Sequence, residues 1–205
     1  MHRGWYGRRS RIFTKFRSRS HRNRPQRRFL EIAKQKYPKN KFELMDMDKL
    51  DFPEESFDFV YSSLALHYSD NLPALFKMIF SVLKTGGSLQ FSITHPLLGS
   101  TECFTEGNTR YKVIGSKKDI ITGECCALGD YYSKGTVQVK WSDEFIVELN
   151  HHTIAEWLNS MIAAGFGITK ISEPTPIKSA EKVDKNKYLQ YTKKPLFFIA
   201  VGKKD

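Results

Sequence analysis

Apolar positions along most of the chain alternate between the spacing of strands and the spacing of helices. Residues 57–66, FDFVYSSLAL, form a nearly continuous apolar run, the pattern of a strand buried on both faces of a parallel sheet. Residues 70–87 then place apolar side chains every three or four positions and end in Gly86–Gly87, which is typical of an amphipathic helix. A second strand follows until Pro96. The order predicts a strand–helix–strand unit.

The flanking segments continue this alternation. Helical spacing runs from Phe29 to Pro38, and a short strand follows at 42–45. Further on, residues 136–149 alternate as a hairpin, the pair Thr153 and Glu156 forms a capping box that opens a helix, and two strands end the chain. The pattern predicts an α/β fold with a mostly parallel sheet. The last strand should enter antiparallel, because no helix separates it from the strand before it.

Length and composition restrict the class of protein. The 205 residues, 40% of them hydrophobic, suffice for one α/β domain with a core. No apolar run approaches the roughly 20 residues that span a bilayer, and the N-terminus lacks a secretory h-region. Three cysteines have neither metal spacing nor an even count. We therefore expect reduced thiols, no membrane partner and a cytoplasmic location.

The positive charge is confined to one end of the chain. Residues 1–28 hold ten Arg and one Lys and no acid, which equals the net charge of +11. The other 177 residues balance 22 basic against 22 acidic side chains, and Arg110 is their single Arg. The segment 1–28 therefore differs from the body both in charge and in its preference for Arg over Lys.

Four stretches of the body, in order, carry a resemblance to a known family. They are DMDKLDFPEESFDFVYSSLALHY, VLKTGGSLQFSITHP, HHTIAEWLNSMIAAGFGITKISEPTP and KKPLFFIAVGKK. Over about residues 29–204 the chain resembles the class I S-adenosylmethionine-dependent methyltransferases with the common small-molecule methyltransferase domain. The resemblance implies a Rossmann-like sheet, S-adenosylmethionine as cofactor and methyl transfer to a small-molecule acceptor.

The resemblance also implies where the cofactor binds. Ligands of open α/β sheets lie beyond the carboxyl ends of the strands. By resemblance, the Asp46 carboxylate and the Met47 backbone N–H hold the adenine edge. Ser62, Ser63 and Leu64 line the methionine end of the cofactor. A solvated loop carboxylate is the plain alternative for Asp46.

Two histidines are candidate catalytic residues. His67 and His95 follow the strands at 57–61 and 88–95, so both are placed to face the methyl acceptor. A neutral imidazole there can take the acceptor's proton as a general base. The alternative is a purely packing role, since methyl transfer depends mainly on in-line positioning.

Two further features have an ordinary interpretation. Adjacent His151 and His152 point in opposite directions on an extended segment, and no other ligand has the right spacing, so we expect no metal site. The hairpin 136–149, with Trp141 and Phe145, either caps the acceptor pocket or packs as ordinary sheet, and the sequence leaves both open.

The family's Gly-rich loop (GxGxG) and the acidic residue that holds the ribose are absent. The Arg-rich segment occupies the place of the first strand, first helix and second strand. We therefore expect residues 1–28 to be disordered or a translation artefact, and residues 29–205 to be a partial methyltransferase domain with an insertion at 97–150. The strand 57–61 should then have an unpaired edge.

These absences leave the activity of the chain open. It could be a truncated or mis-framed enzyme with weak or no activity. It could also be a nucleic-acid-binding protein that uses the Arg-rich arm, although the neutral body suggests only non-specific binding through residues 1–28. A non-catalytic pseudoenzyme is the third possibility.

Overall fold

The computed structural model of the chain describes residues 11–13, 24–43, 45–69, 71–142 and 145–205. The chain forms two compact units, residues 1–53 and residues 54–205, and each is described here by itself.

The first unit is a short β–α–β arrangement. Strand β1 (Arg11–Phe13) and strand β2 (Lys41–Glu43) pair in parallel, with Ile12 opposite Phe42. Helix α1 (Arg24–Lys36) lies between them in the chain. Part of the Arg-rich segment, which we expected to be disordered, therefore carries a strand and the start of a helix. That residues 1–28 are a translation artefact stays a prediction.

The second unit contains a four-stranded sheet with the order β11–β12–β4–β3. Its strands are β3 (Phe57–Ser63), β4 (Leu83–Thr94), β11 (Gly167–Ser172) and β12 (Phe197–Lys203). Strand β3 runs parallel to β4, and β12 is antiparallel to both β4 and β11. The prediction of an α/β sheet with an antiparallel last strand is confirmed.

Strand β3 is the outer strand of this sheet among the described residues. Phe59 and Tyr61 stand on one of its faces and are 51% and 60% exposed. The predicted edge of the strand 57–61 is therefore present within the second unit. An edge strand with exposed aromatic side chains is a site of association between chains.

Helices α2 (Leu72–Val82) and α3 (Ile154–Ala163) supply most of the buried partners of the sheet. Leu89, Phe91 and Ile93 alternate along β4 with half-exposed residues, as expected for a strand with one face in the core. The rings of Phe76 and Trp157, from the two helices, lie 5.6 Å and 5.5 Å from the ring of Phe91. The core of the second unit thus lies between β4 and these helices.

The ends of the two helices match the sequence in part. The predicted capping box of Thr153 and Glu156 is present at the start of α3. The cap of α2 is Asn71, whose side chain accepts the N–H of Ala74. Helix α2 ends at Val82, and Gly86–Gly87 lie within β4 instead of ending the helix. Gly86 adopts φ +79° there, a conformation that glycine permits.

Residues 97–150 form three hairpins. The predicted hairpin is β9 (Gly135–Ser142) with β10 (Phe145–His151), which pair antiparallel. Two others were not predicted, β5 (Glu102–Glu106) with β6 (Thr109–Val113) and β7 (Gly115–Lys118) with β8 (Cys125–Leu128). A short helix α4 (Lys185–Tyr191) lies between β11 and β12 and was not predicted. Within the described ranges, no helix is both long and apolar enough to span a bilayer.

Candidate active site

The segment after β3 carries the first candidate residue into the protein interior. Ser62 and Ser63 end the strand, and Leu64 follows with φ 51°, in the left-handed region that non-glycine residues adopt at a cost. A 3₁₀ turn at Leu66–Tyr68 then buries His67. The strained residue thus turns the chain from the sheet edge inward, directly before the histidine.

His67 is buried without a hydrogen-bond partner. Its side chain is 3% exposed, and neither Nδ1 nor Nε2 has a partner among the described residues. Burial lowers the pKa of His67 to about 4, so the ring is neutral at pH 7. A neutral imidazole has one N–H donor and one lone-pair acceptor, and here both are available to a ligand.

His95 follows the parallel neighbour β4 and has both of its ring nitrogens engaged. Its Nδ1 accepts the N–H of Leu97 at 3.1 Å, and its Nε2 lies 2.7 Å from Oε1 of Glu173. Because Nδ1 is an acceptor, the proton lies on Nε2 and is donated to the carboxylate. The ring is therefore fixed in position and has no lone pair left to accept a proton from a ligand.

His151 and His152 approach the same region from the end of β10. The Nε2 of His151 lies 3.0 Å from the carbonyl of Tyr131 and donates to it. The Nε2 of His152 is buried without a partner among the described residues. The pKa of His152 is lowered mainly by burial, which the nearby Glu156 carboxylate partly opposes. Burial therefore favours the uncharged form of the His152 ring.

These four histidines line one small cavity at the carboxyl end of β4. Its free space of about 20 Å³ admits one water-sized group. Among the described residues, the cavity lining contains no Asp, Glu, Lys or Arg side chain. Its other members are mostly apolar, and they include Ile93, Pro96, Val137, Leu149 and Trp157. The site is therefore a mainly apolar pocket whose polar side chains are the four imidazoles, the Thr94 hydroxyl and the Asn150 amide. Among the described residues no three His, Cys, Asp or Glu side chains gather to hold a metal ion.

The predicted cofactor residues fall in both units. Asp46 and Met47 belong to the unit 1–53, whereas Ser62, Ser63 and Leu64 belong to the unit 54–205 and lead directly to His67. The Asp46 carboxylate accepts the N–H of Asp48 at 3.1 Å, which holds it in a turn, and Met47 is buried beside it in the chain. A carboxylate followed by a backbone N–H matches the donor and acceptor of an adenine edge, so this pair fits S-adenosylmethionine chemically.

The sequence reasoning missed two residues of this site. Glu173 follows β11 just as His95 follows β4, and these strands run in the same direction because both are antiparallel to β12. The signal in the sequence that could have identified Glu173 was a polar residue directly after each parallel strand. Asn150, on β10, donates to the carbonyl of Ser69 at 2.9 Å and so holds the segment after β3. Trp141 and Phe145 lie outside the described side chains, and the proposed cap stays a prediction.

Comparison with known proteins points to one family. A family model described as a methyltransferase domain matches residues 5–91. A structure of an S-adenosylmethionine-dependent methyltransferase from Mesorhizobium loti is 26% identical, with a TM-score of 0.63 over 80% of this chain and 69% of that one. Residues 5–91 thus resemble a methyltransferase domain, and the fold of the chain is similar to that of an S-adenosylmethionine-dependent methyltransferase. The match begins at residue 5, within the segment that we expected to lie outside the family.

Two other relatives define the extent of the likeness. A structure from Listeria monocytogenes, described as an S-adenosylmethionine-dependent methyltransferase, has a TM-score of 0.66 at 22% identity, over 87% of this chain and 76% of that one, and supports the fold. An uncharacterized protein of Haemophilus influenzae is 31% identical over 160 residues, or 78% of this chain. The chain spans 59% of the length of that curated relative. The likenesses therefore support a methyltransferase domain with the fold of S-adenosylmethionine-dependent enzymes.

Proposed function

We propose that this protein transfers a methyl group from S-adenosylmethionine to a small-molecule acceptor and that His67 takes the acceptor's proton. The observation that carries the proposal is the buried, neutral His67 ring, which lines the cavity with two unpartnered nitrogens. A buried polar group without a partner costs about 1–3 kcal/mol, so the position is unfavourable for the fold alone. A ligand that bonds to the ring would remove this cost.

The residues that would hold the cofactor follow from the family resemblance. The Asp46 carboxylate would accept from the exocyclic amine of adenine, and the Met47 N–H would donate to a ring nitrogen. Ser62, Ser63 and Leu64 would line the methionine end, next along the chain to His67. Bound S-adenosylmethionine supplies a methyl group on a positively charged sulfur.

His67 is suited to hold a proton only briefly. At pH 7 its ring is neutral, because burial holds the pKa at about 4, so a lone pair is available for the acceptor's proton. Burial also disfavours the imidazolium that forms, so the ring releases the proton again to solvent. His95, with both nitrogens engaged, would form the wall that places the acceptor and would not exchange protons.

The test is cofactor binding and methyl transfer by the purified chain. Calorimetry should show saturable binding of S-adenosylmethionine, weakened in Asp46→Asn, and transfer of a labelled methyl group to members of a small-molecule acceptor panel. Lys117→Ala, on exposed strand β7, is the matched control and should leave binding unchanged. Absence of cofactor binding by a folded chain would reject the proposal for this chain and favour a weakly active, truncated or mis-framed form.

A second candidate rests on the charge of residues 1–28. Eleven cations without an acid favour phosphate contacts, and such binding weakens steeply with salt. Binding of duplex DNA or RNA at low salt, measured by fluorescence anisotropy, tests this role. Only binding that depends on nucleotide sequence and persists near 0.15 M salt would favour a nucleic-acid function, because Arg-rich peptides bind any polyanion.

A further inference from the structure

The chemistry of the cavity wall restricts what can bind there. In the part of the wall that the structure describes, no side chain is acidic or basic, and the imidazoles are His67, His95, His151 and His152. The nearby carboxylate of Glu173 is bonded to His95, and that of Glu156, beside His152, accepts the N–H of Thr153. A carboxylate or phosphate ligand would find no cation in this wall, and an ammonium ligand would find no anion. Either charge would lose its hydration without compensation.

The wall instead offers hydrogen bonds without charge. His67 presents one donor and one acceptor, whereas the Nε2 of His151 is already engaged with the carbonyl of Tyr131. Acceptors of this kind are complementary to a ligand O–H or N–H. Since the free space admits one water-sized group, only a small group such as a hydroxyl reaches His67, and the rest of the ligand lies toward the cavity mouth.

Because His67 is a weak base, it favours a ligand whose hydrogen-bond donor is acidic. A buried imidazole with a pKa of about 4 removes a proton most readily from an acidic hydroxyl, because proton transfer depends on the difference between the two pKa values. Phenols are more acidic than aliphatic alcohols. Aliphatic amines are protonated at pH 7 and would bring a charge that the wall does not balance.

We propose that the acceptor is an uncharged phenol-like hydroxyl compound whose O–H donates to His67, an inference that rests on the proposed methyltransferase function. In the reaction the hydroxyl proton moves to the His67 ring, and the oxygen lone pair forms the new C–O bond. The methyl–sulfur bond breaks, and its electrons remain on sulfur. The products are a methyl ether, S-adenosylhomocysteine and an imidazolium, which loses its proton to solvent.

The experiment uses three probes of similar size: phenol, benzoate and benzylammonium. Binding is measured by titration of the histidine ring proton resonances in NMR, with and without S-adenosylhomocysteine, and the His67 signal is assigned by its absence in His67→Phe. We expect phenol to shift the His67 signal and to bind at least about tenfold more tightly than either charged probe. His67→Phe should weaken phenol binding about tenfold, and Lys117→Ala should leave it unchanged.

Charged probes that bind as tightly as phenol would overturn the inference. Phenol binding that is unchanged in His67→Phe would overturn it as well. Methyl transfer with S-adenosylmethionine is then measured separately. If phenol binds through His67 but no phenol is methylated, the pocket assignment stands and the proposed function fails. If only a charged acceptor is methylated, the function stands and this inference fails.

Discussion

Two segments follow neighbouring parallel strands, residues 64–69 after β3 and residues 95–100 after β4, and each buries one histidine in the same cavity. They differ in how the histidine is held. His95 caps a 3₁₀ turn, accepts the N–H of Leu97 and donates to Glu173. His67 has neither bond, and the backbone leading to it passes through the strained conformation of Leu64. The two histidines therefore make opposite contributions to the fold.

The difference separates a structural histidine from one that is available to a ligand. The surroundings of His95 satisfy its ring, so packing alone explains its burial. The surroundings of His67 exclude water from the ring, and the described residues provide no hydrogen bond to it. An apolar side chain of similar size would therefore give a more stable fold. Buried, unpartnered groups with displaced pKa values are typical of functional sites. This contrast is the reason that we place proton transfer at His67.

The largest expected effect is on methyl transfer in His67→Phe. The substitution removes the proposed base and keeps a ring of similar size, so transfer should fall at least about 100-fold. Unfolding midpoints in urea should be unchanged or higher, because two unsatisfied nitrogens are removed. Activity is measured as the initial rate with saturating S-adenosylmethionine. A rate within twofold of wild type would make His67 a packing residue.

The second prediction concerns stability at acid pH. His67 has a pKa of about 4 in the fold against 6.5 in the unfolded chain, so the unfolded state binds more protons in that window. Stability from this group is fully present above about pH 6.5 and is lost as the pH falls toward 4. The loss at pH 5 should be about 2 kcal/mol.

Urea unfolding of wild type and His67→Phe at pH 7.5 and pH 5 measures this loss. The variant should lose less stability between the two pH values than wild type does. His152, whose pKa is also lowered by burial, acts with the same sign and remains in both proteins, so the comparison isolates His67. Equal losses in the two proteins would show that the ring of His67 does not titrate in this window.

Much of this contrast could be predicted from the sequence. The apolar runs that end at Ser63 and Thr94 have strand patterns, so the placement of His67 and His95 at one edge of a sheet followed from topology. The capping box at Thr153 has a local signature, which the structure confirms. Features that depend on a short stretch of sequence could therefore be predicted.

The partner of His95 was not accessible in this way. Glu173 lies 78 residues away, and only the pairing of β11 with β12 and of β12 with β4 brings the two residues together. The hairpins β5–β6 and β7–β8 were missed for a different reason. Nearly all of their residues are exposed, so neither hairpin has a buried face that would impose a two-residue alternation.

The third prediction concerns the attachment of the segment after β3. The Asn150 side chain on β10 donates to the carbonyl of Ser69 at 2.9 Å and so holds the segment after β3. Asn150→Ala should lower the free energy of unfolding by about 1 kcal/mol. Asn150→Asp should cost more, because a carboxylate oxygen would then face this carbonyl. Urea unfolding measures both, and an Asp variant as stable as the Ala variant would contradict the assigned bond.

The smallest effect is expected at Glu173, and it tests the other side of the comparison. If His95 is neutral and donates its Nε2 proton, Glu173→Gln keeps an acceptor oxygen for that proton. The methyl-transfer rate should then change by less than about twofold, and the free energy of unfolding should stay nearly the same. Glu173→Ala removes the acceptor and should lower the free energy of unfolding by about 0.5 kcal/mol, a small value because the carboxylate is 48% exposed.

A large loss in Glu173→Gln would mean that the carboxylate charge matters and that His95 carries a proton on both nitrogens. In that case the bond from the Leu97 N–H could not form, and the proton-transfer role would move toward His95. The ¹⁵N shifts of the His95 ring distinguish the two states directly, because the neutral tautomer has one protonated and one unprotonated nitrogen.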